Sequence, residues 1–155
     1  MAGYRQIHTR IWKDEWFGDL APDEKLLFIY LFSNDEAQIS GIYKISLKVI
    51  ANETGLDRQL VKDTLQKFSD DKKVLYQDGV VWVVNMGRYH KNGSPHTVKK
   101  VESELDLIPE CEVKIRYREY NNMPVYGIDT VSDTFQKNLE KNVILSVSVS
   151  ESVSV

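Results

Sequence analysis

Four polar residues recur at helical spacing in the segment RQLVKDTLQKF. Gln59, Lys62, Asp63 and Gln66 fall at i, i+3, i+4 and i+7, so a helix places them on one face, with Arg58 at its edge. A glutamine amide can bond both edge groups of adenine, and arginine or lysine can bond guanine. An aspartate would accept from cytosine and repel phosphate. This face therefore has the chemistry to contact base edges in a DNA groove.

The same face has a simpler interpretation, because a charged helix face is usually solvated surface. Arg58, Lys62 and Gln66 would then form a ladder of side chains along an exposed helix. Spacing alone does not separate the two interpretations.

Two helices joined by a glycine turn are predicted over residues 45–68. Ser46 is placed to cap the first helix, and Gly55 ends it because a left-handed residue is cheapest without a Cβ. Leu56 packs the turn and Asp57 caps the second helix. The predicted inward positions are Leu47, Ile50, Ala51 and Thr54, then Leu60 or Val61, Thr64, Leu65 and Phe68.

Other elements surround this pair. An amphipathic helix over residues 9–20, capped by Thr9, precedes a core helix that begins at Pro22 and is apolar nearly all round. The segment IYKI predicts a short strand, and VLYQ and VVWVVN predict a hairpin around Asp78-Gly79. A helix with Val98, Val101, Leu105 and Ile108 on one face follows, then another with Val113, Tyr117 and Tyr120 in phase.

This order of elements is typical of a winged helix-turn-helix domain. The predicted class is α+β, mainly α, with a β-hairpin wing and additional C-terminal helices over residues 1–120. Residues 121–155, which end in SVSVSESVSV, predict a poorly ordered tail. In such a domain the second helix of the pair lies in the major groove, and the hairpin or the chain around it contacts phosphates.

Positive charge is concentrated in one segment. The net charge is −3, yet residues 79–101 contain four Lys and Arg residues and no acidic residue. We expect this segment to lie beside the second helix and to hold the duplex through phosphate contacts. The predicted phosphate-binding residues are Lys67, Lys72, Lys73, Arg88, His90, Lys91, Asn92, Ser94, Lys99 and Lys100. The competing interpretation is a solvated basic surface balanced by acids elsewhere.

Several classes of protein are disfavoured. A single cysteine excludes an intrachain disulfide framework and a multi-cysteine zinc site, and no ligand spacing suggests another metal. There is no signal peptide pattern and no apolar run long enough for a membrane span, so we expect a soluble cytoplasmic protein. No phosphate-binding glycine loop or nucleophile elbow occurs, which predicts a non-enzyme without cofactor. Trp12, Trp16 and Trp82 are predicted to be core residues rather than platforms for unpaired bases.

Three parts of the sequence carry a family resemblance. IHTRIWKDEWF, LAPDEKLLFIYLFSNDEAQISGIYKISLKVIANETGLD and VVWVVN with the basic tyrosine-containing segment after it resemble the N-terminal domain of phage replisome organiser proteins, relatives of the DnaD-type primosomal initiators of low-GC Gram-positive bacteria. The likeness covers roughly the first 110 to 120 residues. It implies a winged-helix domain that binds duplex DNA at a phage or prophage origin and helps to recruit a helicase loader or other primosomal proteins.

The resemblance leaves open how far the family's role extends to this chain. Family members continue into a C-terminal domain for oligomerisation and single-strand binding, whereas here a Ser/Val tail follows, which favours a stand-alone DNA-binding protein or a truncated prophage copy. A homodimer is also expected from the habits of the fold. Two alternatives remain: a winged-helix transcriptional regulator, and a module that binds host replication proteins through its aromatic N-terminal region.

Overall fold

The computed structural model describes residues 3–86 and 95–123. Within them the protein is α+β and mainly helical, with one small antiparallel sheet, as predicted for the class. After a 3-10 helix at Thr9–Lys13, the elements are α1 (Glu15–Gly18), α2 (Pro22–Ser33), β1 (Ile42–Lys44), α3 (Leu47–Thr54), α4 (Arg58–Asp70), β2 (Val74–Gln77), β3 (Val80–Val83), α5 (Pro95–Asp106) and α6 (Glu112–Tyr120). The segment from residue 124 onward, including most of the predicted tail, lies outside the described residues.

The sheet has the order β1-β3-β2, so the last strand in sequence lies at its centre. Tyr43 pairs with Val81 on one side of β3, and Tyr76 pairs with Val81 on the other. The predicted hairpin is confirmed, because Asp78 and Gly79 between β2 and β3 have φ values of 51° and 79°. Two consecutive positive φ values are the requirement of a type I′ turn.

Both faces of the sheet are buried, which divides the molecule into layers. Side chains alternate across a strand, and every residue of β3 is buried. Val81 and Val83 belong to the core formed with α1 to α4, whereas Val80 and Trp82 belong to a second core formed with α5 and α6. We call the α1 to α4 side the first layer and the α5 and α6 side the second layer. The sheet lies between them.

The first layer is built on aromatic contacts. The Phe68 ring of α4 lies 5.5 Å from the rings of both Trp16 and Phe28, in edge-to-face geometry. The core helix predicted from Pro22 is confirmed, with Leu27, Phe28 and Leu31 buried. Its apolar surface is not covered all round, however, because Leu26 is 45% exposed.

Local capping signals fix α3 and α4 as predicted. Ser46 Oγ accepts from the N–H of Val49 at 3.2 Å, and Asp57 Oδ2 accepts from the N–H of Gln59 at 2.9 Å. Gly55 takes the left-handed conformation with φ of 77°, which ends α3 and turns the chain into α4. The inward residues of α4 are Val61, Thr64, Leu65 and Phe68. The alternative inward position, Leu60, is exposed.

The predicted helix over residues 9–20 was wrong in its continuity. Asp14 has extended backbone dihedrals, φ −70° and ψ 128°, and separates the 3-10 helix from α1. Its carboxylate accepts from the N–H of Phe17 at 2.8 Å, so Asp14 is the N-cap of α1. Thr9 is not a cap either, since the N-cap of the 3-10 helix is His8. The sequence signal for this break was Asp14, because aspartate is favoured at N-caps. The prediction followed the hydrophobic spacing instead.

The second layer packs on Trp82. Its ring lies 5.6 Å from the ring of Tyr117 and 5.3 Å from that of Tyr120, both on α6. Val101 and Leu105 of α5 fill the same core, as predicted. Val98, predicted on that face, is 49% exposed, so the prediction was wrong for this residue.

A buried polar cluster attaches the second layer to the start of β1. The N–H of Ser40 donates to Glu104 Oε1 at 2.9 Å, and the carbonyl of Ser40 accepts from the Tyr117 hydroxyl at 2.9 Å. Burial, with the nearby charge of Glu104, raises the pKa of Tyr117, so its hydroxyl stays a donor. We call Ser40, Glu104 and Tyr117 the Ser40 cluster. It fixes the position of α5 and α6 against the strand that leads into α3.

Candidate nucleic-acid interface

The face of α4 that could contact bases points away from the core. Its buried residues pack against the sheet and α3, and the opposite side of the helix is open to solvent. All five residues predicted to read bases are exposed: Arg58, Gln59, Lys62, Asp63 and Gln66. The structure therefore places these five side chains together on one accessible surface of a capped, well-packed helix.

Hydrogen bonds along α4 differ from the ladder that the simpler interpretation predicted. Gln59 Nε2 donates to Asp63 Oδ1 at 2.9 Å, and Gln66 Nε2 donates to Asp70 Oδ1 at 3.1 Å. Both are i, i+4 pairs on the helix surface. Each glutamine is thereby oriented, with one amide hydrogen engaged and the carbonyl oxygen left to accept.

The outer face of α4 is close to electrically neutral. Arg58 and Lys62 supply two cations, while Asp63 and Asp70 supply two carboxylates within the same helix. Such a face offers hydrogen-bond donors and acceptors in alternation but little net attraction for phosphate. Binding of a duplex here needs cations from outside this face.

Two of the predicted phosphate-binding residues, Lys67 and Lys73, already contact other side chains of the protein. Lys67 Nζ lies 3.0 Å from Glu24 Oε1 of α2. Burial acts to raise the pKa of Glu24, but the Ala21 N–H and the Lys67 ammonium outweigh it, so the pKa lies below its ordinary value. Lys73 Nζ lies 5.1 Å above the Trp16 ring in a cation–π contact. Lys72, by contrast, is exposed, with φ of 62° at the turn before β2.

The basic segment does not lie beside α4 as expected where the structure describes it. Lys99 and Lys100 are exposed on α5, which packs on the opposite face of the sheet. The remaining residues of the prediction, Arg88, His90, Lys91, Asn92 and Ser94, lie outside the described residues. Adjacency along the chain predicted that this segment lies beside α4, but the alternation of β3 between two cores decides which layer each segment joins.

Two exposed cations were missed by sequence reasoning. Lys48 lies in the first turn of α3, in the same layer as α4. Lys44 is the outward residue at the end of β1; it pairs with Val80, so its side chain lies on the second-layer face of the sheet. The signal for Lys44 was its charge, because alternation alone places it on the same face as the buried Ile42.

The tryptophans divide between core and surface. Trp82 is buried, as predicted, and Trp16 is half-buried, with its indole N–H donating to Asp71 Oδ2 at 2.9 Å. The prediction was wrong for Trp12, which is 63% exposed and makes an edge-to-face contact with Phe17 at 5.5 Å. The break of the helix at Asp14 turns Trp12 outward.

No protein-family model, curated protein or solved structure matches the chain. Within residues 3–86 and 95–123, no three His, Cys, Asp or Glu side chains are grouped closely enough to hold a metal ion. No helix in those same ranges combines the length and the apolar character needed to cross a membrane. A function must therefore be argued from the geometry and charge of the surfaces described above.

Proposed function

We propose that this chain is a winged helix-turn-helix protein that binds double-stranded DNA, with α4 in the major groove. The observation that carries the proposal is the outer face of α4: five exposed polar and charged side chains opposite a buried apolar stripe. The order of elements also supports it, because the turn at residues 55–57, α4 and the hairpin β2–β3 follow one another as they do in winged helix-turn-helix domains. The proposed reaction is binding alone, without catalysis or cofactor.

Hydrogen bonding on α4 supports recognition of bases rather than simple attraction of phosphate. Gln59 and Gln66 are held by Asp63 and Asp70, so both amides are presented in defined orientations. An oriented amide loses less freedom when it bonds adenine, which favours discrimination between bases. Lys62 and Arg58 beside them are the residues able to contact guanine.

The biological role proposed is initiation of DNA replication in a phage or prophage, as a replisome organiser. It is supported by the resemblance of the WKDEWF and SGIYKIS segments, which form the junction of the 3-10 helix with α1 and the strand β1. The proposed partners are duplex DNA at an origin and a helicase loader or other primosomal protein. Footprinting on the origin region of the source element would report the site and its symmetry, and protection confined to promoters would favour a transcriptional regulator instead.

The test of base recognition is a binding titration with a set of duplexes of different sequence. Gln59→Ala and Lys62→Ala should relax the preference among sequences by about 1–3 kcal/mol at the base concerned, because each removes a base-edge contact. Thr9→Ala, a change in the 3-10 helix, is the control and should leave preference unchanged. Preference that survives both α4 changes would contradict the assignment.

A second candidate function is favoured by Trp12. A tryptophan that is 63% exposed, held edge-on against Phe17, has the character of an anchor for a protein partner. On this alternative the chain is an interaction module for replication proteins and binds no DNA. Fluorescence anisotropy with a random duplex separates the two: a DNA binder loses affinity steeply as salt rises, whereas an interaction module has no appreciable affinity at low salt.

A further inference from the structure

Positive charge is concentrated on the outer face of the first two turns of α5. His96, Lys99, Lys100 and Ser103 fall at i, i+3, i+4 and i+7, opposite the buried Val101 and Leu105. They form a row of about 10 Å along the helix, since each residue rises 1.5 Å. The first two turns of α5 contain no acidic residue, and the helix dipole adds positive potential at that end.

Four acids of the second layer make contacts away from the outward row of α5, whereas Asp106 is exposed at the last residue of that helix. Glu102 pairs with Arg118 at 3.2 Å, Glu110 with Lys114 at 2.7 Å and Glu112 with Arg116 at 2.7 Å. Glu104 is buried in the Ser40 cluster.

Lys99 and Lys100, in contrast, have no carboxylate within ion-pair distance in the described ranges 3–86 and 95–123. The three cations of α6, by comparison, are each paired with a glutamate.

One straight duplex cannot contact both this row and α4. The two helices lie on opposite faces of the sheet, and each turns its buried stripe toward the sheet. Three layers of about 10 Å each separate the two outer faces by roughly 30 Å. A duplex would have to bend around the protein to touch both, and bending a site of about 20–30 base pairs by only 40–90° already costs on the order of 1–6 kcal/mol.

We propose that the outer face of α5, with Lys99 and Lys100, is a second DNA-binding surface, sequence-independent and separate from α4, so that one chain holds two duplex segments. Duplex DNA fits the row because it carries about one charge per 1.7 Å of its axis. A lipid surface fits poorly, because the apolar side of α5 is buried against the sheet and is not available for insertion. Of the two surfaces, only the one on α4 rests on the proposed function.

Stoichiometry tests the proposal. The full-length chain is titrated at low salt with a fluorescent duplex of about 20 base pairs, too short and stiff to wrap, and duplexes bound per chain are measured by sedimentation. The wild type should bind two duplexes per chain. K99Q/K100Q should bind one and keep its sequence preference, and R58A/K62A should bind one without preference. R10Q/K13Q, the matched control, removes two cations from the exposed 3-10 helix and should still bind two.

The salt dependence identifies which surface each variant retains. Each lysine that neutralises a phosphate contributes about 0.9 to the slope of log affinity against log salt, so K99Q/K100Q should remove the weaker, steeper phase. One duplex per wild-type chain, or two duplexes per K99Q/K100Q chain, would overturn the second surface and leave α4 standing. Loss of all binding in K99Q/K100Q would mean a single site on α5 and would overturn both, and a wild type that binds no duplex would refute DNA binding altogether.

Discussion

The outer faces of the two layers differ in how their charged side chains are arranged. On α4, acids and cations alternate along one helix, and Gln59 and Gln66 are bonded to Asp63 and Asp70. On α5, Glu104 is buried and Glu102 pairs with Arg118 of α6, so Asp106 at the C-terminal end is the exposed acid and the first two turns carry only cations.

The interiors differ correspondingly. The buried charged residues of the described chain, Glu104, Lys114 and Arg118, all belong to the second layer. Two of these three residues are cations, so the positive outer face of α5 comes from the placement of Lys99 and Lys100 and not from the burial of carboxylates. Charge distribution along the sequence therefore says less about a surface than which way each helix faces.

The largest expected effects test whether the two cores are equally necessary. Trp82→Ala in the second core and Phe68→Ala in the first should each lower the free energy of unfolding by about 3–5 kcal/mol, because each removes a buried aromatic ring with two ring neighbours. Equilibrium denaturation in urea measures both. A loss of less than about 1 kcal/mol for Trp82→Ala would mean that α5 and α6 are not packed as a core, and the comparison of layers would fail.

The Ser40 cluster should have an intermediate effect. Glu104→Ala leaves the buried N–H of Ser40 without its acceptor, which costs about 1–3 kcal/mol. Glu104→Gln keeps an acceptor oxygen at the same place and should lose less. Thermal unfolding of both variants is the measurement, with Ser103→Ala on the outer face of α5 as a control near zero. Equal losses for the Ala and Gln variants would show that the hydrogen bond to Ser40 is not what matters.

Glu104 also carries an unsatisfied group. Its Oε2 is buried and has no hydrogen-bond partner among the described residues. A half-satisfied carboxylate opposes part of the gain from the bond to Ser40. The Gln variant replaces the carboxylate with a neutral amide. If this variant is more stable than the wild type, the loss of stability comes from burying the charge of the carboxylate.

Most of the first layer could be predicted because its signals are local. Ser46, Gly55 and Asp57 set the bounds of α3 and α4 through bonds to residues a few positions away, and Asp78-Gly79 sets the hairpin through its own dihedrals. The same local logic explains the failure near the N-terminus, where Asp14 caps α1 inside an apolar pattern. At this position the capping residue, and not the hydrophobic spacing, determines where the helix begins.

The candidate interface was predicted only in part, because its composition depends on contacts distant in sequence. The exposure of the five α4 residues followed from periodicity along one helix. Three features did not: the pairing of Lys67 with Glu24, the hydrogen bond from Ser40 to Glu104, and the side of the sheet on which Lys99 lies. Each joins residues 40 or more positions apart or depends on how β3 divides its side chains, and no local pattern encodes that choice.

The smallest expected effect concerns the cation that α4 shares with α2. Because the pKa of Glu24 is lowered in the folded state, its pair with Lys67 adds stability at neutral pH that is lost as the pH falls below about 4.5. For a partly exposed pair the contribution is only about 0.2–1 kcal/mol. Glu24→Gln should remove this pH dependence, whereas Asp23→Asn, a change in the same helical turn that leaves the pair intact, should not.

Glu24→Gln also sharpens the contrast between the two outer faces. Freed from its carboxylate, Lys67 becomes a cation at the edge of the α4 face, so duplex affinity of that face should rise and its salt slope should steepen by about 0.9. Asp23→Asn controls for the general loss of negative charge. If Glu24→Gln and Asp23→Asn bind DNA with the same affinity, Lys67 contributes nothing to DNA binding by α4. The cations that hold DNA at this face must then lie outside α4.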